Sequence, residues 1–391
     1  MCCSAEPKNQ IFNLADLDSV LQKLDTNVVN GFVNDIYNNR HTNTDLHAPM
    51  YRQYYDRFHH QAESGFGQKF DKIDNLEDFE LTQKMQQNVS HFAAAKQQSL
   101  TTSLERILYN PDGTKVSKAE FDKAAAPILR QHQRYLQVEA DAINAGATAA
   151  EQWRSFERTE YLYPNLEYQT IGDDHVRDEH RVLDGVIRPL KDDFWKTHYP
   201  PNGWGCRCTV LQTDDEPKDL PDSIPKNAKG FNQNVGQTGK LFGDDHPYFA
   251  NMEAATKDRI FQKAELTRAK DNRDNVKSSA KEKFIEPKTA FNLPELDTPI
   301  SITGRDLDNM ISHFHEQPAI KDSIVSNLDL VLPKARYVTT APNLDVNKPF
   351  VDRFMYYLWE FNDVKFFFNI KILIEGGVEI AKLYAINNIL R

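Results

Sequence analysis

The most regular hydrophobic pattern of the chain lies between residues 364 and 374, where apolar and polar residues alternate. A period of two predicts a β-strand with one buried face. Asn362-Asp363 and Gly376-Gly377 border this segment and predict tight hairpin turns to strands at 352–361 and 378–386. The alternating positions are Val364, Phe366, Phe368, Ile370, Ile372 and Ile374 on one face, with Lys365, Asn369 and Lys371 on the other.

Two helices and one further strand are predicted before these three strands. Apolar spacing indicates helices from about 305 to 316 and from about 319 to 332, and residues 334–340 have the composition of a strand. Helices followed by a small antiparallel sheet make an α+β domain, which we place at 299–391. The three consecutive aromatics at 366–368 predict a strand that is covered on both faces.

The first 150 residues have the spacing of helices. Helices are predicted at 50–72 and 75–108, and a capping box of Ser117 and Glu120 predicts a helix that ends near 144. Thr148 and Glu151 form a second box, which predicts a separate short helix. A further helix capped by Asn13 is predicted from its apolar stripe of Leu14, Leu17, Leu21, Leu24 and Val28.

Between the helical region at 1–150 and the C-terminal domain, the pattern of apolar and polar residues changes near 151 and again near 213. Residues 151–212 alternate short extended pieces with turns, which predicts a compact α+β module. Residues 213–298 combine a polar, proline-containing linker with a charged helix from about 252 to 284. The predicted fold class is therefore multidomain α+β, with a helical region at 1–150, the module, the linker region and the C-terminal domain.

Charge and cysteine content narrow the class of protein. The 391 residues carry a formal net charge of -10, so a broad basic surface for DNA is not expected. The four cysteines, Cys2, Cys3, Cys206 and Cys208, lack the spacing of a disulfide scaffold and indicate a reducing compartment. The sequence has no signal-peptide pattern and no apolar stretch near 18 residues, so neither secretion nor membrane insertion is expected.

Residues 161–208 contain a series of spaced motifs. They read YLYPNLEY at 161–168, DDHVRDEH at 173–180, LDG at 183–185, FW at 194–195 and PPNGWGCRC at 200–208. In this order they resemble the head-morphogenesis proteins of tailed phages, the family of phage Mu protein F. The resemblance implies assembly work rather than catalysis at the motif positions Asp174, Arg177, His180, Gly185, Trp195, Pro201, Trp204, Cys206 and Cys208.

The residues of this module leave two questions open. Thiolates and imidazoles are preferred zinc ligands, so Cys206 and Cys208 with His180, His175 or His198 are a candidate metal site. We rank simple packing of the cysteines ahead of it, because alternate residues of an extended segment point to opposite faces. The charged residues of 173–180 are predicted to form a buried ionic network or a partner contact, and the tryptophans a packed wall. No cofactor is expected, with zinc as the alternative.

The C-terminal domain carries a second resemblance. ITG at 302–304, His313, Lys321, NLDLVLPKARY at 327–337 and KLYAINN at 382–388 look like a family of phage-encoded nucleases related to barnase, EndoU, colicin and RelE. Such folds cleave RNA without metal, using an acid, a base and a cation. The resemblance implies His313, Lys321, Lys371 and Tyr384 as catalytic candidates and Arg336 and Asn387 as contacts to RNA phosphate.

Together these features predict a phage minor head protein. It would act in capsid and portal assembly, reside in the capsid interior or near the portal, and pass through the host cytoplasm during assembly. Exit with the packaged DNA is part of this hypothesis, and host RNA is the partner that the nuclease-like domain implies. Two alternatives stay open: a virion-delivered ribonuclease toxin whose module serves for packaging, and a purely structural head protein with an inactive nuclease relic.

Overall fold

The computed structural model describes residues 24–344, 346 and 349–390. Cys2, Cys3 and the predicted helix start at Asn13 lie outside these residues. From residue 24 onward, the helical front half contains the α-helices α1 at Thr26–Tyr37, α2 at Ala48–Phe66, α3 at Leu76–Glu105 and α4 at Lys118–Thr159. Helix α2 packs along both α3 and α4. At Gly65 the α2 and α4 backbones are so close that a Cβ atom would lie 2.2 Å from the carbonyl oxygen of Asn144.

Helix α4 confirms one prediction and contradicts another. The Ser117–Glu120 capping box is present at its start. The predicted break near 144 is wrong, because α4 continues without interruption to Thr159. Thr148 does not cap a new helix. Its hydroxyl donates to the carbonyl oxygens of Asn144, one turn earlier, and of Gly65 in α2, both at 3.0 Å.

The module predicted at 151–212 is a small α+β unit. Its elements are β1 at Asn165–Gln169, α5 at Asp178–Arg181, β2 at Ile187–Pro189, α6 at Phe194–His198 and β3 at Thr209–Thr213. The three strands form an antiparallel sheet in the order β2-β1-β3. Its own core includes Leu166, Tyr168, Trp195 and Tyr199, and α4 contributes Trp153 to it.

The region predicted as a linker packs onto the helices. It contains α7 at Val235–Thr238, α8 at Pro247–Ala250 and the long α9 at Ala254–Ala280, which ends in a π-helical turn at Lys281–Ile285. Phe231, Phe242 and Phe249 enter the same core as α2 and α3. Helix α9 packs against α3 on one side and against a helix of the C-terminal domain on the other.

Among its described residues, the C-terminal domain combines three α-helices with a six-stranded sheet, which begins at Ala290, before the predicted boundary at 299. Its elements are β4 at Ala290–Phe291, β5 at Ile300–Ser301, α10 at Gly304–Ser312, α11 at Pro318–Ser326, α12 at Leu328–Val331, β6 at Arg336–Pro342, β7 at Val351–Phe361, β8 at Val364–Glu375 and β9 at Val378–Asn387. The strand order is β4-β5-β9-β8-β7-β6. Strand β5 runs parallel to β9, and all other neighbours are antiparallel.

Both predicted hairpin turns are confirmed. Asn362 and Asp363 have φ of 51° and 63°, and Gly376 and Gly377 have φ of 60° and 81°. Two successive positive φ angles are the signature of the type I′ turn, whose twist matches that of the flanking strands. The aromatic run at 366–368 is buried on both faces, as predicted.

The fold class is α+β, with a helical region, a small antiparallel sheet and a separate mixed sheet. One continuous hydrophobic core extends from Phe32 in α1 to Ile386 in β9, and the module has the second, smaller core. Within the described part of the chain, no helix is long and apolar enough to cross a bilayer.

Asp322 in α11 predicts a pH-dependent stability. The side chain is buried, and neither carboxylate oxygen has a hydrogen-bond partner among the described residues. Burial raises its pKa from 3.8 to about 6. A carboxyl group whose pKa is higher in the folded than in the unfolded protein stabilises the folded state at pH values below its unfolded-state pKa. This contribution is lost as the pH rises through its folded-state pKa. The free energy of unfolding should therefore fall between about pH 4 and pH 6.

The variant Asp322→Asn should remove this loss. At neutral pH we expect it to be more stable than the natural protein by about 1–3 kcal/mol, since each pKa unit corresponds to about 1.4 kcal/mol. Urea unfolding on either side of this pH range measures the difference. Asp329→Asn, at an exposed position of the neighbouring helix α12, is the control and should change little. Equal pH dependence in Asp322→Asn and the natural protein would contradict the assignment.

Candidate functional site

A hydrogen-bonded turn brings α5 of the module back onto the sheet. Gly185, at φ 74°, donates its N–H to the carbonyl oxygen of Tyr168 at 2.8 Å, and Tyr168 donates back to Val186 at 2.8 Å. The Asp184 carboxylate accepts hydrogen bonds from the backbone N–H and the hydroxyl of Thr170, at 2.7 and 2.8 Å. The LDG motif therefore fixes the position of α5 relative to β1.

His180 of α5 meets both cysteines of the PPNGWGCRC motif. Its Nδ1 lies 3.7 Å from Sγ of Cys206 and 3.5 Å from Sγ of Cys208. All three atoms lie within 4.8 Å of one another, and the imidazole is buried. Among the histidine, cysteine, aspartate and glutamate side chains that the structure describes, these three are the ones whose ligand atoms lie close enough together to hold one metal ion.

The convergence of the two thiols differs from the sequence expectation. Residues 206–208 are not part of a strand, because β3 begins only at Thr209. Gly205, at φ 63°, and the hydrogen bond from Cys206 N to Gly203 O at 3.1 Å turn the chain just before the cysteines. Both sulfurs can therefore lie on the same side, which an extended segment would forbid.

The two thiols influence each other's ionisation. The hydrogen bond with Cys208, followed by the one with His180, lowers the pKa of Cys206 far below its ordinary value. The same sulfur–sulfur contact, together with burial, raises the pKa of Cys208. The lowered pKa of Cys206 favours its thiolate, the form in which cysteine binds metal ions.

The other two candidate histidines are placed differently. His175 is exposed and lines a shallow cavity of about 70 Å³ beside the three ligand atoms. His198 points elsewhere: its Nε2 lies 2.9 Å from the carbonyl oxygen of Pro225, and its ring stacks on Phe194.

The acidic residues near His180 do not form the predicted buried network. Asp174 and Asp178 are exposed. Asp173 forms a bidentate ion pair with Arg207 at 2.7 and 2.8 Å, also on the surface, and Arg177 donates to the carbonyl oxygen of Trp204. These contacts hold the loop before α5 against the cysteine segment.

The predicted aromatic wall is divided between the two cores. Trp195 is fully buried in the module, where its indole N–H donates to the carbonyl oxygen of Arg188 at 3.3 Å. Trp204 packs instead against Phe231, Phe242 and His246 of the region 213–298, which itself packs onto the helices. Pro201, half-buried, follows Pro200 through a cis peptide bond. The PPNGW segment thus joins the module to the helices.

A second cluster lies in the C-terminal domain. The ring of Tyr384 in β9 lies 5.2 Å from the His313 ring and 5.0 Å from Nζ of Lys371. Lys371 also forms an ion pair of 3.1 Å with the buried carboxylate of Asp306. The Nδ1 of His313 donates to the carbonyl oxygen of Asn309 at 2.6 Å, so the neutral imidazole carries its lone pair on Nε2.

Three further predicted residues lie outside this cluster. Lys321 is buried and donates to the carbonyl oxygens of Ile311 and His313 at 2.8 and 2.5 Å, which ties down the end of α10. Burial lowers its pKa to about 8. Arg336 lies on the edge strand β6 and pairs with Glu360 at 3.6 Å. Asn387 is buried at the end of β9.

The sequence resemblance implies an acidic residue shortly after Gly304 but does not decide between Asp306 and Asp308, and Asp306 is the one that joins this cluster. Thr303 is the N-cap of α10 and Asp306 is its N3 residue, and together they form a capping box. The backbone N–H and the hydroxyl of Thr303 donate to Oδ2 of Asp306 at 3.0 and 2.5 Å. This leaves Oδ1 for Lys371. The pattern Thr303-x-x-Asp306 was the signal that could have identified it.

Part of this chain is similar to a known protein family. Residues 113–211 match the family described as Phage Mu protein F like protein. This match covers about a quarter of the chain and includes the whole of α4 and the whole His–Cys cluster. The resemblance predicted from the spaced motifs of the module is therefore confirmed.

Two relatives share part of this region. The putative capsid assembly protein F of Escherichia phage Mu is 42% identical over 64 residues, which is 16% of this chain and 15% of that protein. The Mu-like prophage FluMu F protein of Haemophilus influenzae is 45% identical over 47 residues, 12% of this chain and 11% of that protein. The chain thus spans less than a sixth of the length of either relative. No solved structure matches it.

Proposed function

We propose that this protein takes part in assembling the head of a tailed phage, with the module of residues 151–212 as its contact to other head proteins. The observation that carries this is the similarity of residues 113–211 to the phage Mu protein F family, one relative of which is named as a capsid assembly protein. The portal and the capsid proteins are the partners, and the virion is the location.

Exposed apolar side chains on the module support this contact. Tyr161 is 82% exposed, and Leu162 and Tyr163 beside it are 54% and 46% exposed. Large apolar groups left in water on one part of a protein are typical of an interaction surface. Three more large exposed apolar residues belong to the same module: Ile171, Val182 and Leu211.

The test is complementation of a phage that lacks this gene. The variant with Tyr161→Ser, Leu162→Ser and Tyr163→Ser should fold, since the positions are exposed, but should be lost from purified particles. Removal of apolar anchors weakens an interface by at least roughly tenfold, and we expect a similar fall in infectious particles. Val378→Ser, equally exposed on the β8–β9 hairpin, is the control. Normal particle assembly without any of this protein would refute the proposal.

A second function, RNA cleavage by the C-terminal domain, is favoured by the cluster of His313, Lys371, Tyr384 and Asp306. His313 Nε2 supplies a base for the 2′-hydroxyl, and Lys371 supplies a cation for the charge that develops on the phosphate. Asp306 positions the Lys371 ammonium. A ribonuclease carried in the virion would act in the host after infection, which is the toxin hypothesis.

The test for this activity is incubation of the full-length chain with labelled RNA in the presence of a chelator. Cleavage that leaves 2′,3′-cyclic phosphate ends would support a metal-independent mechanism that starts at the 2′-hydroxyl. If the chain cuts neither single-stranded nor structured RNA, the domain is the inactive relic of the third hypothesis. Particle assembly does not depend on this result, so the two functions can fail separately.

A further inference from the structure

The three donor atoms of His180, Cys206 and Cys208 have the spacing of a coordination shell. A tetrahedral zinc ion bonded to sulfur at about 2.3 Å and to nitrogen at about 2.0 Å places neighbouring donors roughly 3.5–3.8 Å apart. The two nitrogen–sulfur distances here are 3.5 and 3.7 Å. An imidazole nitrogen has one lone pair, so a hydrogen bond accounts for one of these contacts, whereas a shared cation accounts for both.

The surroundings of the sulfurs provide a second, independent observation. The backbone turns beside the sulfurs, where the Cys206 N–H donates to the carbonyl oxygen of Gly203 at 3.1 Å. The buried Tyr168 lies next to both cysteines, and its hydroxyl accepts from Asn202 Nδ2 at 3.0 Å, while the same amide group donates to the carbonyl oxygen of His198 at 3.2 Å. Hydrogen bonds around the ligands orient them and are a regular part of metal sites in proteins.

We propose that His180, Cys206 and Cys208 bind one Zn²⁺ ion, with the fourth position open to the cavity beside His175. Two thiolates and an imidazole are a donor set that selects zinc over magnesium or calcium. A shallow cavity on the open side leaves room for a water molecule as the fourth ligand.

The ion links two parts of the module that otherwise meet through exposed polar contacts, the Asp173–Arg207 ion pair and the hydrogen bond from Arg177 to the carbonyl oxygen of Trp204. Helix α5 and the cysteine segment are 26 residues apart along the chain, as counted from His180 to Cys206. At the surface they are joined by the Asp173–Arg207 ion pair, and exposed pairs of this kind contribute at most about 1 kcal/mol. Zinc therefore stabilises the folded module, and through Trp204 it holds the module against the region 213–298.

The test uses the full-length chain, purified under reducing conditions. Elemental analysis should find one zinc ion per chain. Replacement of zinc by Co²⁺ should produce a thiolate-to-metal charge-transfer band and the visible bands of a tetrahedral site. The double variant Cys206→Ser, Cys208→Ser should lose both signals. Arg207→Ala, which changes the residue between the cysteines, should keep them.

Two results would overturn the proposal. One is a reduced, folded natural chain that contains no zinc and gives no thiolate band on Co²⁺ titration. The other is a double cysteine variant that binds Co²⁺ with an unchanged spectrum. Because the first measurement is made on the natural chain, the test remains decisive even if the cysteine variant fails to fold.

Discussion

Replacing Glu139 by glutamine should destabilise this protein by about 3–5 kcal/mol, because it leaves a buried ammonium group without its counter-charge. Lys96 of α3 is fully buried, and its Nζ lies 2.7 Å from Oε2 of Glu139 in α4. The Nζ also donates to the carbonyl oxygen of His132 at 3.2 Å, and Tyr248 donates to Glu139 Oε1 at 2.8 Å. The ion pair thus connects α3, α4 and α8.

The expected loss can be measured by urea unfolding, with a control on the same helix. Asp122 in α4 pairs with Lys118 at the surface, and Asp122→Asn should cost less than about 1 kcal/mol. Adding Lys96→Met to Glu139→Gln should restore part of the stability, since the buried ammonium that lost its counter-charge is then removed as well. Similar costs for Glu139→Gln and Asp122→Asn would show that the Lys96 charge is not desolvated.

The second large effect concerns RNA cleavage. If the C-terminal domain is active, His313→Ala should lower the cleavage rate by about 10²–10⁴-fold, the usual contribution of a general acid or base. Lys371→Met should lower it by about 10²-fold or more, because a cation aimed at developing charge is lost. Initial rates of the full-length chain on a labelled RNA are the measurement.

Two controls separate chemistry from folding. Lys365→Met alters an exposed lysine at the other end of β8 and should leave the rate unchanged. Lys321→Met should lower the free energy of unfolding, because the buried ammonium anchors two carbonyl groups. A folded His313→Ala variant that cuts RNA at the natural rate would remove His313 from the mechanism.

The sequence was most informative where structure is decided by neighbouring residues. The type I′ turns at 362–363 and 376–377 require residues that tolerate positive φ, and the chain supplies Asn, Asp and Gly there. The capping box at Ser117 is equally local. The helix start predicted at Thr148 is wrong, because the same hydroxyl that can cap a helix can also donate to a carbonyl oxygen in the preceding turn of a longer helix.

The sites depend on contacts distant in sequence, and these were harder to predict. That Cys206 and Cys208 face the same histidine follows from the turn at Gly205, which residue types alone do not specify. Lys321 is a catalytic candidate in the sequence, but its buried ammonium is enclosed at the end of α10, where it donates to two carbonyl oxygens. Such enclosure is a property of packing and has no signature in the spacing of residues.

The continuous core from α1 to β9 has a mechanical consequence. Helix α9 shares apolar contacts with α3 and with α11, so the C-terminal sheet and the helical front half should unfold as one cooperative unit. Cargo that leaves a capsid through a narrow channel must be threaded as an extended chain or detach as a compact piece. For this protein, detachment of the C-terminal domain as a compact piece would expose the α9 contact surface to water, so the C-terminal sheet should stay with the helical front half as long as the chain is folded.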